Sequence, residues 1–166
     1  MRGAIIFAVN VRQPHRVTHT YTQRLCRPAA SVFPLLCPVR EADWIDGWHP
    51  LVVYSTSGVA EPDCVFVTDA EPHDAVWYIT RHEPDRCFVE MIKITPGVTA
   101  CKLTIQVRDT GDGCCEADVC YSHTSLAPQG DVFIASFTAE YYTLFMREWE
   151  DRINHYLAHG EALRAG

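Results

Sequence analysis

Between Leu51 and Thr124 the chain alternates short runs of β-branched and aromatic residues with clusters of turn residues. The runs are Leu51 to Ser57, Cys64 to Thr68, Ala75 to His82, Cys87 to Thr95, Thr99 to Arg108 and Cys115 to Thr124. Between them lie Gly58 to Asp63, Glu71 to Asp74, Glu83 to Arg86, Pro96-Gly97 and Asp109 to Gly113. Proline fixes φ in such turns and glycine reaches positive φ, so each connection reverses the chain within a few residues. Strands joined this way are antiparallel neighbours, and the pattern predicts a meander. Cys101, Leu103, Ile105 and Val107 alternate with Lys102, Thr104, Gln106 and Arg108, giving one buried and one wet face. An earlier strand runs from Val17 to Leu25, with Thr18, Thr20, Thr22 and Arg24 on its polar side.

Helical spacing appears in three places. Pro28 to Leu36 reads as a short helix limited by Pro34, and Val39 to Ile45 as a second that ends near Gly47. The C-terminal pattern is far longer. Asp131 is placed to cap a helix running to His159, before Gly160. Phe137, Tyr141, Leu144, Phe145, Trp149, Ile153, Tyr156 and Leu157 recur every three or four residues as one apolar stripe. Arg147 with Asp151, and Glu148 with Arg152, have the i,i+4 spacing of flanking ion pairs. Such a helix would be about 42 Å long, enough to cross a sheet. The pattern therefore predicts an α+β domain over residues 16–160, with an extension at 1–15 and a tail at 161–166.

Composition narrows the function. Of 166 residues, 48% are hydrophobic and 21% charged, with a net charge of -7. An acidic chain is poorly suited to nucleic acid or an anionic membrane surface, and no run approaches the roughly 20 apolar residues of a membrane span. The opening Gly3 to Val9 run lacks a small-x-small cleavage site and reads as an extension or edge strand rather than a signal peptide. Eight cysteines include no Cys-x-x-Cys pair. They are expected as reduced thiols in a cytoplasmic protein, mostly as small buried hydrophobes, with Cys114-Cys115 the one redox candidate. The eight histidines are scattered; His155 and His159 share a helix face but have no third partner, so no metal or other cofactor is expected.

Ala29-Ala-Ser-Val-Phe33, Cys37-Pro-Val-Arg-Glu-Ala-Asp-Trp44 through Trp48, Gly58-Val-Ala-Glu61 and Trp149-Glu150 with Ile153 to Leu157 and Gly160-Glu161 carry a resemblance. Together with the element order, they make the chain similar to the START-related SRPBCC superfamily over residues 16–160. That superfamily includes pollen-allergen-like and polyketide cyclase-like proteins; this chain resembles an uncharacterised bacterial subgroup. The resemblance implies a helix-grip fold: a curved antiparallel sheet of about seven strands, two short helices after the first, and a long C-terminal helix over the concave face. It also implies a ligand cavity between sheet and helix.

The candidate lining residues are Trp44, Trp48, Tyr54, Phe66, Trp77, Tyr121, His123, Phe137, Glu140, Tyr141 and Phe145. Aromatics supply apolar area, while His123, Tyr121 and Glu140 could aim polar groups inward. A filled core and a solvent-facing glutamate are the plainer explanations of the same residues. Glu90 shares a strand face with Phe88 and Ile92, but Val89 and Met91 make the opposite face equally apolar, so the direction of Glu90 is open. A pocket of about 300 Å³ or more between the concave face and the stripe led by Phe137 and Tyr141 is expected, and a fully packed interface there would count against carriage and catalysis alike. Serine-hydrolase elbows, zinc-protease helices, phosphate loops and dinucleotide fingerprints are absent from the sequence. Three functions fit: carriage of a small lipid-like, aromatic or polyketide-like molecule without catalysis; a cyclase or dehydratase relaying protons through Tyr121, His123 or Glu140; and a protein-interaction module similar to chaperone-ATPase activators. An inward acid/base pair favours the enzyme, an apolar cavity the carrier. A collapsed cavity with an exposed apolar patch favours the interaction module. Oligomeric state, a dimer included, is left open.

Overall fold

The computed structural model describes residue 13 and residues 15–164, so the expected extension and the end of the tail lie largely outside the described residues. Seven strands form one antiparallel sheet in the order β1-β7-β6-β5-β4-β3-β2. They are β1 (Arg16–Leu25), β2 (Leu51–Tyr54), β3 (Val65–Thr68), β4 (Ala75–Glu83), β5 (Phe88–Thr95), β6 (Thr99–Asp109) and β7 (Cys115–Ser125). From β2 to β7 each strand pairs with the next, which is the expected meander. The first strand crosses over to close the far edge on β7, with Arg16 opposite Thr124 and Leu25 opposite Cys115.

The register sets side chains in rows across the concave face. One row runs Phe66, Trp77, Lys93, Cys101, His123 and Val17; the next holds Ile79, Met91, Leu103, Tyr121 and His19. Glu90 points the other way, pairing on the outer face with Lys102 at 2.6 Å.

The crossover carries α1 (Ala29–Val32) and two 3₁₀ turns, Phe33–Leu35 and Arg40–Asp43, shorter than the two helices expected. Pro28 precedes α1, and Pro34 supplies the 3₁₀ turn with a residue that has no N–H to donate.

The C-terminal helix departs from expectation in two ways. It is broken: α2 (Pro128–Ser136) ends at Phe137, and α3 (Ala139–His159) starts afresh. Thr138, in extended conformation, is the cap of α3, its hydroxyl accepting from the Tyr141 N–H at 3.1 Å. Asp131 lies inside α2 and contacts His15 at 2.7 Å. The break also resets the apolar face. Tyr142, Met146 and Ile153 are buried, whereas Tyr141 and Leu144 are 54% and 60% exposed. Gly160, at φ 75°, ends α3 in the left-handed region that favours glycine. Of the two flanking ion pairs only Glu148–Arg152 is present among the described residues, at 2.7 Å.

Polar contacts fasten α3 along β1. Gln23 donates to the Met146 carbonyl at 3.1 Å, Tyr21 to Glu150 at 2.8 Å, and Asn154 to the Arg24 carbonyl at 2.9 Å. The helix therefore covers the β1 side of the concave face, leaving the β3 to β6 side for the crossover to close.

Candidate functional site

A hollow of about 40 Å³ lies where the concave sheet, the crossover and α3 meet. Phe66, Trp77, Met91, Leu103, Ile105 and Tyr121 rise from the sheet, Trp149 comes from α3, and Pro38, Glu41 and Trp48 come from the crossover. Period-two alternation puts the strand residues on one face, and the 3₁₀ turn at Arg40–Asp43 aims Glu41 inward.

Glu41 is the chemical centre of this hollow. It is only 7% exposed, and its carboxyl has no hydrogen-bond or ion-pair partner among the described residues. Burial alone pushes its pKa up to about 8, so the group is a neutral acid near pH 7. Tyr121 lines the same hollow, and burial, then Cys101 and Glu41, raise its phenol well above the usual range. The hollow thus holds two proton-bearing groups in aromatic walls. Sequence reasoning missed Glu41: in a short polar turn it looks like a surface residue, and only its place between Cys37-Pro38 and Trp44 hints otherwise.

Lys93 was missed as well. It shares the inward face with Val89 and Met91 and lies over the Trp77 ring at 5.0 Å. The opposite neighbour of Trp77 is Phe66, stacked at 5.3 Å. Desolvation lowers the Lys93 pKa, and no carboxylate pairs with it among the described residues. It is one of only two lysines in the chain.

The expected residues divide. Trp48, Phe66, Trp77 and Tyr121 line the hollow. Trp44 is fully buried behind it, donating to the Leu35 carbonyl at 2.9 Å and meeting Trp149 edge-on at 5.4 Å. Phe145 packs between Tyr121 and Trp149. Phe137 and His123 are buried but fill space instead of lining it. Their rings lie 4.6 Å apart, joined by Phe133, Tyr121 and Tyr142, so the expected large pocket beside Phe137 and Tyr141 is a packed aromatic cluster. Tyr141 and Glu140 are turned to solvent because α3 begins at Ala139, in a different phase from the expected helix. Tyr54, 56% exposed, sits at the end of the edge strand after a register shift.

A second hollow adjoins the first. A cleft of about 310 Å³ opens on the outside of the crossover, lined by Phe33, Pro34, Cys37, Arg40, Val59, Ala60, His82 and Pro84. Cys37 and Arg40 face the cleft, while Pro38 and Glu41 face the inner hollow. The segment from Cys37 to Glu41 is therefore the wall between the two. Cys37 Sγ accepts the Ala60 N–H at 3.1 Å, and Phe33 stacks on His82 at 5.3 Å to close the cleft floor.

Among the described residues no cluster of three or more His, Cys, Asp or Glu side chains could hold a metal ion, and no helix is long and apolar enough to cross a membrane. No protein-family model matches the sequence, and a search of curated proteins finds no match. Solved structures do match. Norcoclaurine synthase from Thalictrum flavum superposes with a TM-score of 0.65 at 11% identity, covering 95% of this chain and 99% of its own. A Rhizobium leguminosarum protein gives 0.61 at 13% identity, covering 90% and 99%. Ara h 8.0201 gives 0.59 at 13% identity, covering 86% and 98%. Likeness at this identity speaks for architecture, and on it this chain has the helix-grip α+β fold of those proteins.

Proposed function

We propose that this chain binds a small aromatic or otherwise apolar molecule carrying one hydrogen-bonding group, with that group set against Glu41 and Tyr121. The observation that carries this reading is the unpartnered Glu41 carboxyl inside an aromatic-walled hollow. A buried polar group without a partner costs free energy that a ligand's hydroxyl or carbonyl would recover. The inner hollow alone is the size of a water or two. A ligand seat of the usual volume forms when the Cys37–Glu41 wall swings out and joins the hollow to the cleft. That wall is a bend and a turn leading into the Arg40–Asp43 3₁₀ turn, and the bond from the Glu41 N–H to the Cys37 carbonyl at 2.8 Å spans it. A norcoclaurine synthase of the same fold, at 12% identity, has been captured with dopamine and hydroxybenzaldehyde, which are small aromatics of the size proposed. The partner is thus a small molecule rather than nucleic acid or a membrane, and we place the protein in the cytoplasm.

Fluorescence titration with 2-naphthol and naphthalene tests the reading. Wild type should hold naphthol about five-fold more tightly, the worth of one hydrogen bond of about 1 kcal/mol. Glu41→Leu should erase the difference. Equal affinity of wild type for both probes would sink the proposal.

A second reading is an acid–base enzyme of the cyclase or dehydratase kind. Glu41, with its pKa near 8, is suited to give and take protons at neutral pH. Its proton relay would be Glu41 and Tyr121 rather than His123 or Glu140. Turnover of a polyketide-like substrate that disappears in Glu41→Gln while naphthol binding persists would favour it over carriage.

A further inference from the structure

Four of the eight cysteines meet at one end of the sheet: Cys26 just past β1, Cys87 before β5, and Cys114 and Cys115 at the start of β7. Two of them face each other. Leu25 pairs with Cys115 across the β1–β7 ladder, so the next step outward sets Cys26 against Cys114. The Cys26 N–H turns away from that neighbour and donates to Asn154 Oδ1 on α3 at 3.0 Å. Cross-strand positions that exchange no backbone hydrogen bond hold their Cα atoms about 4.5 Å apart, within the span of a disulfide.

Strand alternation decides which thiols can meet. Leu25 and Cys115 point into the core and are fully buried, which sends Cys26 and Cys114 to the outer face. There Cys26 is exposed and Cys114 partly so, and the register sets the two side chains side by side. Consecutive residues of one strand point to opposite faces, so Cys114 and Cys115 are not the couple despite their adjacency.

We propose that Cys26 and Cys114 form an oxidisable dithiol that exchanges with a low-molecular-weight disulfide. The exposed Cys26 thiolate attacks one sulfur of the disulfide, forming a mixed disulfide and releasing one thiolate. Cys114, deprotonated, then attacks the Cys26 sulfur, closing the Cys26–Cys114 bond and releasing the second thiolate. The protein loses two electrons and two protons, and the small disulfide becomes two thiols. The bond would staple the end of β1 to the β6–β7 hairpin, where Arg24 already pairs with Asp112. Glu150 and Asn154 of α3 hold the same stretch through the Arg24 and Cys26 N–H groups, at 2.9 and 3.0 Å. Oxidation therefore acts on the point where the long helix is fastened to the sheet.

Peptide mapping of the full chain tests this. Reduced protein is incubated with glutathione disulfide, free thiols are capped with iodoacetamide after unfolding in acidified guanidinium brought to pH 8 with the reagent present, and the digest is analysed by mass spectrometry. The expected result is a Cys26–Cys114 cross-linked peptide, with the other six of the eight cysteines capped. Cys114→Ser should stop at a glutathione adduct on Cys26, and Cys26→Ser should keep all its thiols capped over the same interval. Eight capped cysteines in wild type would overturn the proposal. So would a wild-type adduct that persists on Cys26, or a bond involving Cys87 or Cys115.

Discussion

The phenol of Tyr142 donates to the backbone carbonyl of Val119 at 2.6 Å, joining the first turn of α3 to the middle of β7. Both groups are buried, so water cannot replace the contact when it is lost. Tyr142→Phe keeps the ring and removes only the donor. We expect a loss of about 1 kcal/mol, seen as a fall of about 3 °C in Tm by calorimetry. A variant as stable as wild type would mean that the bond contributes nothing net.

The phase of α3 gives a second test. Ile153 is buried against the sheet, whereas Leu144 stands in solvent although it falls on the stripe read from spacing alone. Ile153→Ala should cost about 2–4 kcal/mol in urea unfolding through lost contact and the cavity left behind. Leu144→Ala should stay within about 0.5 kcal/mol of wild type. Similar costs at the two positions would place the helix in the expected phase after all.

That contrast shows where the sequence is legible. Strand runs and their turns could be read because alternation and turn chemistry are local, and five of the seven strands, β2 to β6, pair only with chain neighbours. The helix phase could not. Tyr141, Leu144 and Phe145 repeat as well as Tyr142, Met146 and Trp149 do, and the choice is made by Thr138, whose cap interrupts a pattern that otherwise runs on. Within the site, Trp48, Phe66, Trp77 and Tyr121 were readable as aromatics on strands or after the crossover. Glu41 was not, because a buried acid looks no different in sequence from a surface one. Lys93 became readable once Glu90 was placed outward with Lys102, since alternation then turns Lys93 in.

Burial of Glu41 makes stability depend on pH in an uncommon direction. Its carboxyl titrates at about 8 in the folded chain and near 4.5 when unfolded, so between those values the folded state binds the proton and the unfolded state does not. The contribution is fully present below pH 4.5 and is lost as pH rises through 8. Its size is on the order of 5 kcal/mol. Urea unfolding of wild type and Glu41→Gln at pH 5, 6, 7 and 8 should show wild type weakening relative to the variant, which has no proton to lose. Parallel profiles would show that Glu41 is not held neutral by the fold.

His123 works in the opposite direction. It is 3% exposed, its Nδ1 has no hydrogen-bond partner, and the rings of Phe133 and Phe137 lie 4.8 and 4.6 Å away. Burial first, and the nearby Lys93 ammonium second, lower its pKa to about 4 from the ordinary histidine value of 6.5. The folded chain therefore keeps the imidazole neutral while the unfolded chain takes up a proton. Stability from this group is complete above pH 6.5 and is lost as pH falls towards 4, by an amount on the order of 3 kcal/mol. His123→Phe replaces an unsatisfied polar ring by an apolar one inside an aromatic cluster. At pH 7.5 the variant should match wild type within about 1 kcal/mol, since the neutral imidazole gains no hydrogen bond at Nδ1 that phenylalanine would forfeit. At pH 4.5 it should be the more stable protein, because wild type alone carries the cost of excluding a proton. Urea midpoints at the two pH values decide the matter: a variant that loses as much stability on acidification as wild type does would show that the acid limb belongs to other groups.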